Sequence, residues 1–336
     1  MSGRVLAFSD PEIIRMAREN FVPVAGDDWY QRRRQDAEGD FFRKVSDQAG
    51  RGSAGEDGGS SRQGIYCLTA SGKLLAFKNA GQLPAEMRKS LRQALVNWSR
   101  LPASERRPGA VQVPDAGFDP RFAHGPPPGA LVVNVYTRLL DQNDKGDLCP
   151  HVVKVNGAAT EPQRDHLWLT EAEWKSLIPP HAKVGDKIAV PPVIARRIFQ
   201  FHLGDSTPGE PFAWSREHIR SGSLALIVEE YSAAKIKMRI EGAVLLATAT
   251  ESSKAERGYD ARLLGYLNYD VSKKMVERFD LVAYGECWGK QAICNDKQNG
   301  HRMLGVAFEL AKGDSPADHV PPQAARWLQG YLQPSR

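Results

Sequence analysis

Between residues 224 and 310 the hydrophobic period of this chain is two. Leu224, Leu226 and Val228 form one set, and Ile236, Met238 and Ile240 alternate with the charged Lys237 and Arg239 in the next. The segments Leu263–Tyr269, Phe279–Tyr284 and Leu304–Leu310 follow, with turn-forming residues between them. A period of two places successive side chains on opposite faces of an extended backbone, whereas a helix would scatter them around its axis. At least five successive short strands predict an antiparallel meander, either a curved sheet or a partly closed barrel.

The segments before this run belong to the same β-rich domain, expected over residues 131–312. Leu131–Tyr136 is a strong strand candidate, and residues 141–165 read as loop. Thr170 with Glu173 makes a capping-box signature for a short helix. Pro192 to His202 predicts a second, and Ser215 caps a third. Residues 313–336 are expected to form a tail or short helix. Residues 101–130 carry seven prolines and little apolar periodicity, which predicts a linker or surface strap.

Residues 1–100 alternate helical and strand signals. Val5–Phe8 reads as a strand, Ser9 or Asp10 caps a helix with Pro11 in its first turn, and Phe21–Val24 reads as the next strand. Trp29 to Val45 is expected to be helical, with Phe41, Phe42 and Val45 inward. Residues 49–63 hold five glycines and nothing to bury, hence a loop. Ile65–Leu68 and Leu74–Phe77 flank a Ser71-Gly72 turn, a hairpin signal. Met87, Leu91, Leu95 and Trp98 then give one apolar stripe on a helix beginning at Pro84.

The motifs Ser9-Asp10-Pro11-Glu12 and Asn20-Phe21-Val22-Pro23-Val24, followed by the hairpin and closing helix, resemble a divergent branch of the thioredoxin-like fold. The resemblance covers under a third of the chain. It implies an α/β domain over residues 1–100, so the fold class expected for the whole is α+β. The dithiol chemistry of thioredoxins needs Cys-x-x-Cys at a helix start, where the thiol becomes a thiolate. No Cys-x-x-Cys occurs in this chain, and Arg62-Gln63-Gly64-Ile65 lacks the proline that precedes the third strand in that fold. Cys67, alone in this domain, falls mid-strand and reads as a small buried hydrophobe. The resemblance therefore implies a redox-inactive scaffold.

Bulk properties narrow the function classes. The 45 basic residues are interleaved with 40 acidic ones, apart from Arg32-Arg33-Arg34, so the net charge of +5 makes no basic stripe and argues against nucleic acid. No apolar run approaches the length of a membrane span, and the start does not read as a signal peptide. Four scattered cysteines suggest no disulfide framework, so a reducing, cytoplasmic setting is expected. Neither a Gly-x-Ser-x-Gly elbow nor a phosphate-cradling glycine loop is present.

Candidate chemistry concentrates after residue 130, with seven of eight histidines and three of four cysteines. Cys149-Pro150-His151 is either a zinc or copper pair or an ordinary loop. His166 and His202, with Asp205 or Glu286, make a two-histidine-plus-carboxylate set suited to a divalent transition metal, and His166, His202 and Asp205 are the catalytic candidates. Glu210 lies in the same loop as Asp205. The competing reading of His202 is an imidazole stabilised at a helix C-terminus. Cys287, Cys294 and His301, with Glu286, form a second metal-ligand set, a disulfide pair or two unrelated thiols. Trp168, Trp174, Trp214 and Trp288 either line a pocket or plug a β core. The leading expectation is a binding or scaffold protein for a protein or small-molecule ligand. A metal-dependent enzyme and a thiol-based redox sensor are the alternatives.

Overall fold

A computed structural model describes residues 8, 10–52, 61–79, 83–107, 125–152, 154–155, 158–159, 164–205, 212–289, 300–313, 318, 320–324 and 328–332. The strand expected at Val5–Phe8 lies outside them except for Phe8, which is helical; Glu210 and Cys294 lie outside altogether. The chain divides into two compact units, residues 1–124 with 155–158, and residues 125–154 with 159–336.

The first unit is built on one helix–hairpin–helix layer. Helix α1 (Pro11–Asn20) starts where Asp10 accepts the backbone N–H groups of Glu12 at 3.0 Å and Ile13 at 3.1 Å. The other Asp10 oxygen takes Arg88 Nη1 at 2.6 Å, so burial notwithstanding, the Ile13 N–H and this guanidinium hold its carboxyl below the usual range. Helices α2 (Asp28–Gln31) and α3 (Ala37–Gln48) replace the single helix expected from Trp29 to Val45. Asp36 caps α3 through Gly39 N and ion-pairs with Arg34, which breaks the helix there. Val45 is buried, but Phe41 turns outward. Strands β1 (Ile65–Leu68) and β2 (Leu74–Lys78) form the expected antiparallel hairpin. Helix α4 (Pro84–Ser99) packs Met87, Leu91 and Ala94 against Ile13, Cys67 and Leu75. Leu101 joins this core, and a short α5 (Ala103–Arg106) follows, so the expected linker begins as part of the unit.

Phe21–Val24 is not a strand. Phe21 is extended, yet no partner strand pairs with the segment, and Val22 and Val24 are 90% and 87% exposed. Among the elements implied by the thioredoxin-like resemblance, the hairpin and closing helix are present, while this strand is not.

The second unit carries a nine-stranded sheet. Its strands are β3 (Leu131–Gln142), β4 (Leu148–Pro150), β5 (Arg164–Leu169), β6 (Lys187–Ala189), β7 (Ile219–Tyr231), β8 (Lys235–Ala247), β9 (Gly258–Asp270), β10 (Met275–Trp288) and β11 (His301–Leu310). Their order is β4-β3-β11-β10-β9-β8-β7-β6, with β5 also paired to β3 and every pair antiparallel. The meander over β7 to β11 thus matches the expected alternation, in strands of 10–14 residues.

One transverse row explains the cohesion. Asp165, Val135, Phe308, Leu281, Gly265, Ile240, Leu226 and Ile188 lie opposite one another across eight strands. Direct cross-strand neighbours share a face, so this row is a continuous apolar band with a carboxylate at one end. Gly265 interrupts it for a steric reason, shared by Gly285 in the row through Ala261 and Leu304. A Cβ at either would overlap the carbonyl oxygen of Asp280 or Asp260 on the neighbouring strand. The outward face is charged, with Lys237–Glu230 at 2.5 Å and Arg239–Glu229 at 3.0 Å bridging strands.

Two segments depart from expectation. Residues 164 and 165, the end of the expected loop, begin β5, in which Leu167, Trp168 and Leu169 are all buried. The helix expected from Pro192 to His202 is α7 (Pro192–Arg197) continued by a π-helical turn, Ile198–His202. Helix α6 (Glu171–Ser176) has the expected capping box, and residues 328–332 form α8 (Leu328–Leu332). Among the described residues no helix is long and apolar enough to cross a membrane.

Candidate functional site

The expected catalytic histidine, His202, sits at the end of the π-helical turn with its side chain fully buried. Its Nδ1 lies 3.2 Å from Asp165 Oδ2, and its Nε2 lies 2.8 Å from the Tyr331 hydroxyl. The same hydroxyl accepts the backbone N–H of Trp168 at 3.2 Å. Burial alone would raise the Asp165 carboxyl, but the His202 hydrogen bond and charge, with the N–H groups of Gln323 and His166, bring it below the ordinary value. Burial raises the Tyr331 phenol.

Arg197, one turn earlier, completes this network. Its side chain is fully buried, and all five guanidinium N–H groups have acceptors. Nη1 and Nη2 each meet a Glu173 oxygen at 2.6 Å. The carbonyls of Trp168 (2.9 Å), Tyr331 (2.8 Å) and Leu332 (2.6 Å) take the rest. Glu173 also accepts Thr170 N at 2.8 Å, so the capping-box carboxylate is shared between a helix start and a buried cation. The backbone N–H and C=O of Trp168 are thereby occupied by Tyr331 and Arg197 side chains instead of by another strand, which closes the free edge of β5. Asp165, His202, Arg197 and Tyr331 are a structural clamp on the C-terminal segment.

The other sequence candidates are dispersed. His166 is 2% exposed and faces Asn134 across β3, and neither ring nitrogen has a hydrogen-bond partner. Desolvation lowers its basicity, and the charges of Arg164 and His202 act in the same direction. Asp205 is fully buried near Cys287, raising that thiol further. Glu286 lies level with Leu140 of β3, whereas His166 lies level with Asn134. Six residues of strand separate the two levels by roughly 20 Å. One metal centre therefore cannot contain His166, His202 and Glu286. Glu286 and Cys287 also point to opposite faces of the sheet. Glu286 instead pairs with His301 at 3.1 Å, and the His301 ring stacks on Trp288 with a centroid separation of 5.4 Å. Among the described residues no three His, Cys, Asp or Glu side chains gather closely enough to hold a metal ion. Burial pushes the Cys287 thiol up to about 12 and the Cys67 thiol up to about 11, which suits thiols packed in a core.

An open groove of about 430 Å³ lies at the end of the sheet where β7 turns into β8. Pro179, Pro180, Tyr231, Tyr269 and Val271 form its walls, with the buried Ile236 beneath. Tyr231 donates its hydroxyl to Pro180 O at 2.7 Å, fixing one wall, and the Tyr269 ring lies 6.5 Å from that of Trp174. None of the lining residues is charged. Sequence reasoning missed this site; its only signal was Pro179-Pro180 directly after a helix, with half-buried tyrosines at two strand ends.

Comparison of the chain with protein-family models, with curated proteins and with solved structures found no match.

Proposed function

We propose that this chain is a binding protein that takes an extended, proline-bearing peptide into the Tyr231–Tyr269 groove. The groove's lining carries the reading: tyrosine rings and proline faces, open to solvent, with no charge. A polyproline-type segment is already extended, so it loses little entropy on docking, and flat aromatic walls suit its alternating rings. The absence of charged walls favours a neutral peptide over an acidic or basic one. Behind the groove, the packed sheet supplies a rigid support.

The first unit is read as a redox-inactive, thioredoxin-like scaffold, a reading supported by the hairpin β1–β2, the closing helix α4 and the buried Cys67. A cytoplasmic, reducing setting suits the free thiols of Cys67, Cys149 and Cys287. The test is an array of extended decapeptides, with and without proline, probed with the full chain. Proline-bearing peptides are expected to bind, and Tyr231→Ala or Tyr269→Ala to weaken them about 30-fold, as for an aromatic hot spot. Binding indifferent to both substitutions would overturn the proposal.

A further inference from the structure

The outward face of the sheet is charged on β8, but across β9, β10, β11 and β3 it carries an apolar band. Leu264, Val282, Ala307 and Tyr136 lie opposite one another on these four strands. Leu264 is 51% exposed, Val282 48% and Tyr136 39%. Glu241 ends the band on β8 and is already held by Arg239. The next residues of this face lie two positions along each strand. In one direction the first level carries Arg138 and Arg262, and the second Glu286 and Asp260. In the other direction the first level carries Glu309 and Asp280, and the second Arg278 and Lys237 on either side of Asn268. Along the strands the face therefore reads acid, base, apolar, acid, base. Some of these charges pair within the chain, Arg278 with Asp280, Lys237 with Glu230 and Glu286 with His301. Arg239, on the β8 end of the first acidic level, is bound by Glu229 as well as Glu241. Arg262 and Glu309 have no ion-pair partner among the described residues.

We propose that two copies of this chain pair through this face, about a two-fold axis lying along the apolar band. Such an axis reverses the strand direction, so each level on one side of the band meets the level on the other side of the second copy. The Arg138–Arg262 level then faces the acidic Asp280–Glu309 level, and Glu286 and Asp260 face the level of Arg278 and Lys237. Leu264, Val282 and Ala307 close on their own counterparts. A charge pattern that changes sign across an apolar row is complementary to itself, which an isologous interface requires. A partner surface of a single sign would meet repulsion on half of this face. The strands of the two sheets run nearly aligned, the ordinary geometry of sheets packed face to face. Five strands about 4.8 Å apart and ten residues deep present roughly 24 Å by 34 Å, or about 800 Å² per copy. That is one side of an interface of standard size. The inference is independent of the peptide groove.

The test is sedimentation velocity on the full chain at about 100 μM, where even a weak interface is populated. The parent is expected to sediment at twice the chain's mass. Leu264→Glu should sediment as a monomer with an unchanged circular dichroism spectrum, and Val282→Lys gives a second variant should the first misfold. Arg262→Glu and Glu309→Lys, taken singly, should each weaken pairing by at least about 10-fold, because each sets like charges against each other twice. Mixing those two variants, one of them isotopically labelled, should restore pairing as a mixed dimer in native mass spectrometry, since both contacts then join opposite signs. A parent that stays monomeric, a dimer indifferent to both Leu264→Glu and Val282→Lys, or charge variants that pair with themselves as well as with each other would overturn the proposal.

Discussion

Replacing Glu173 with Gln should loosen the C-terminal segment more than any other conservative change in the second unit. Arg197 is fully buried, and the Glu173 carboxylate, 12% exposed, is its one anionic partner among the described residues, through two 2.6 Å contacts. Glu173→Gln preserves shape and removes the charge, leaving the guanidinium with three backbone carbonyls and no counter-ion. Breaking a buried pair on one side costs about 3–5 kcal/mol, because the surviving charge stays desolvated. For a unit of about 200 residues this amounts to a fall in Tm of about 6–20 °C. Thermal unfolding followed by far-ultraviolet circular dichroism, with limited proteolysis of the C-terminal segment, reads the effect. Arg197→Met alone should cost less, and the double variant should recover part of the Glu173→Gln loss, giving a favourable coupling in a double-mutant cycle. A Glu173→Gln protein within about 1 kcal/mol of the parent would refute the reasoning, since that is the range of an exposed pair.

Three further outcomes follow from the same geometry. Tyr331→Phe strips the partner from His202 Nε2 and from Trp168 N, and should cost about 1–3 kcal/mol, with faster amide exchange at Trp168 as the local readout. His166 is less basic folded than unfolded, so the unfolded chain binds the extra proton; stability should be full above the unfolded value near 6.5 and fall as pH drops from there, and denaturation midpoints for His166→Leu should show a shallower fall between about pH 7 and 5. Cys67 and Cys287, buried with raised thiols, should resist Ellman's reagent in the native protein and react only after denaturant is added.

The meander was legible because β7 to β11 have one wet face. Lys237, Arg239 and Glu241 alternate with Ile236, Met238 and Ile240, and period two survives only when the faces differ in solvent. Strand β5 was not legible because Leu167, Trp168 and Leu169 are buried on both faces, one of them covered by Tyr331 from 163 residues away. Phe21–Val24 misled for the reverse reason: its residues favour extension, but a strand needs a partner, which no local pattern supplies. The capping box of Thr170 and Glu173 was plain, yet nothing local indicated that Glu173 would also neutralise Arg197. His202 drew attention as a candidate catalyst, and its partners Asp165 and Tyr331 became visible only with the fold. Adjacent side chains on a strand diverge, so Asp165 turns away from the His166 ring and meets His202.

Calorimetric titration of the full chain with the tightest array peptide, at several temperatures, tests the binding reading most directly. Burial of proline and tyrosine surface should give a negative heat-capacity change, and Tyr269→Ala should abolish most of it together with the affinity. A heat-capacity change near zero, or equal affinity for the parent and the Tyr269→Ala protein, would contradict a peptide seated between those rings.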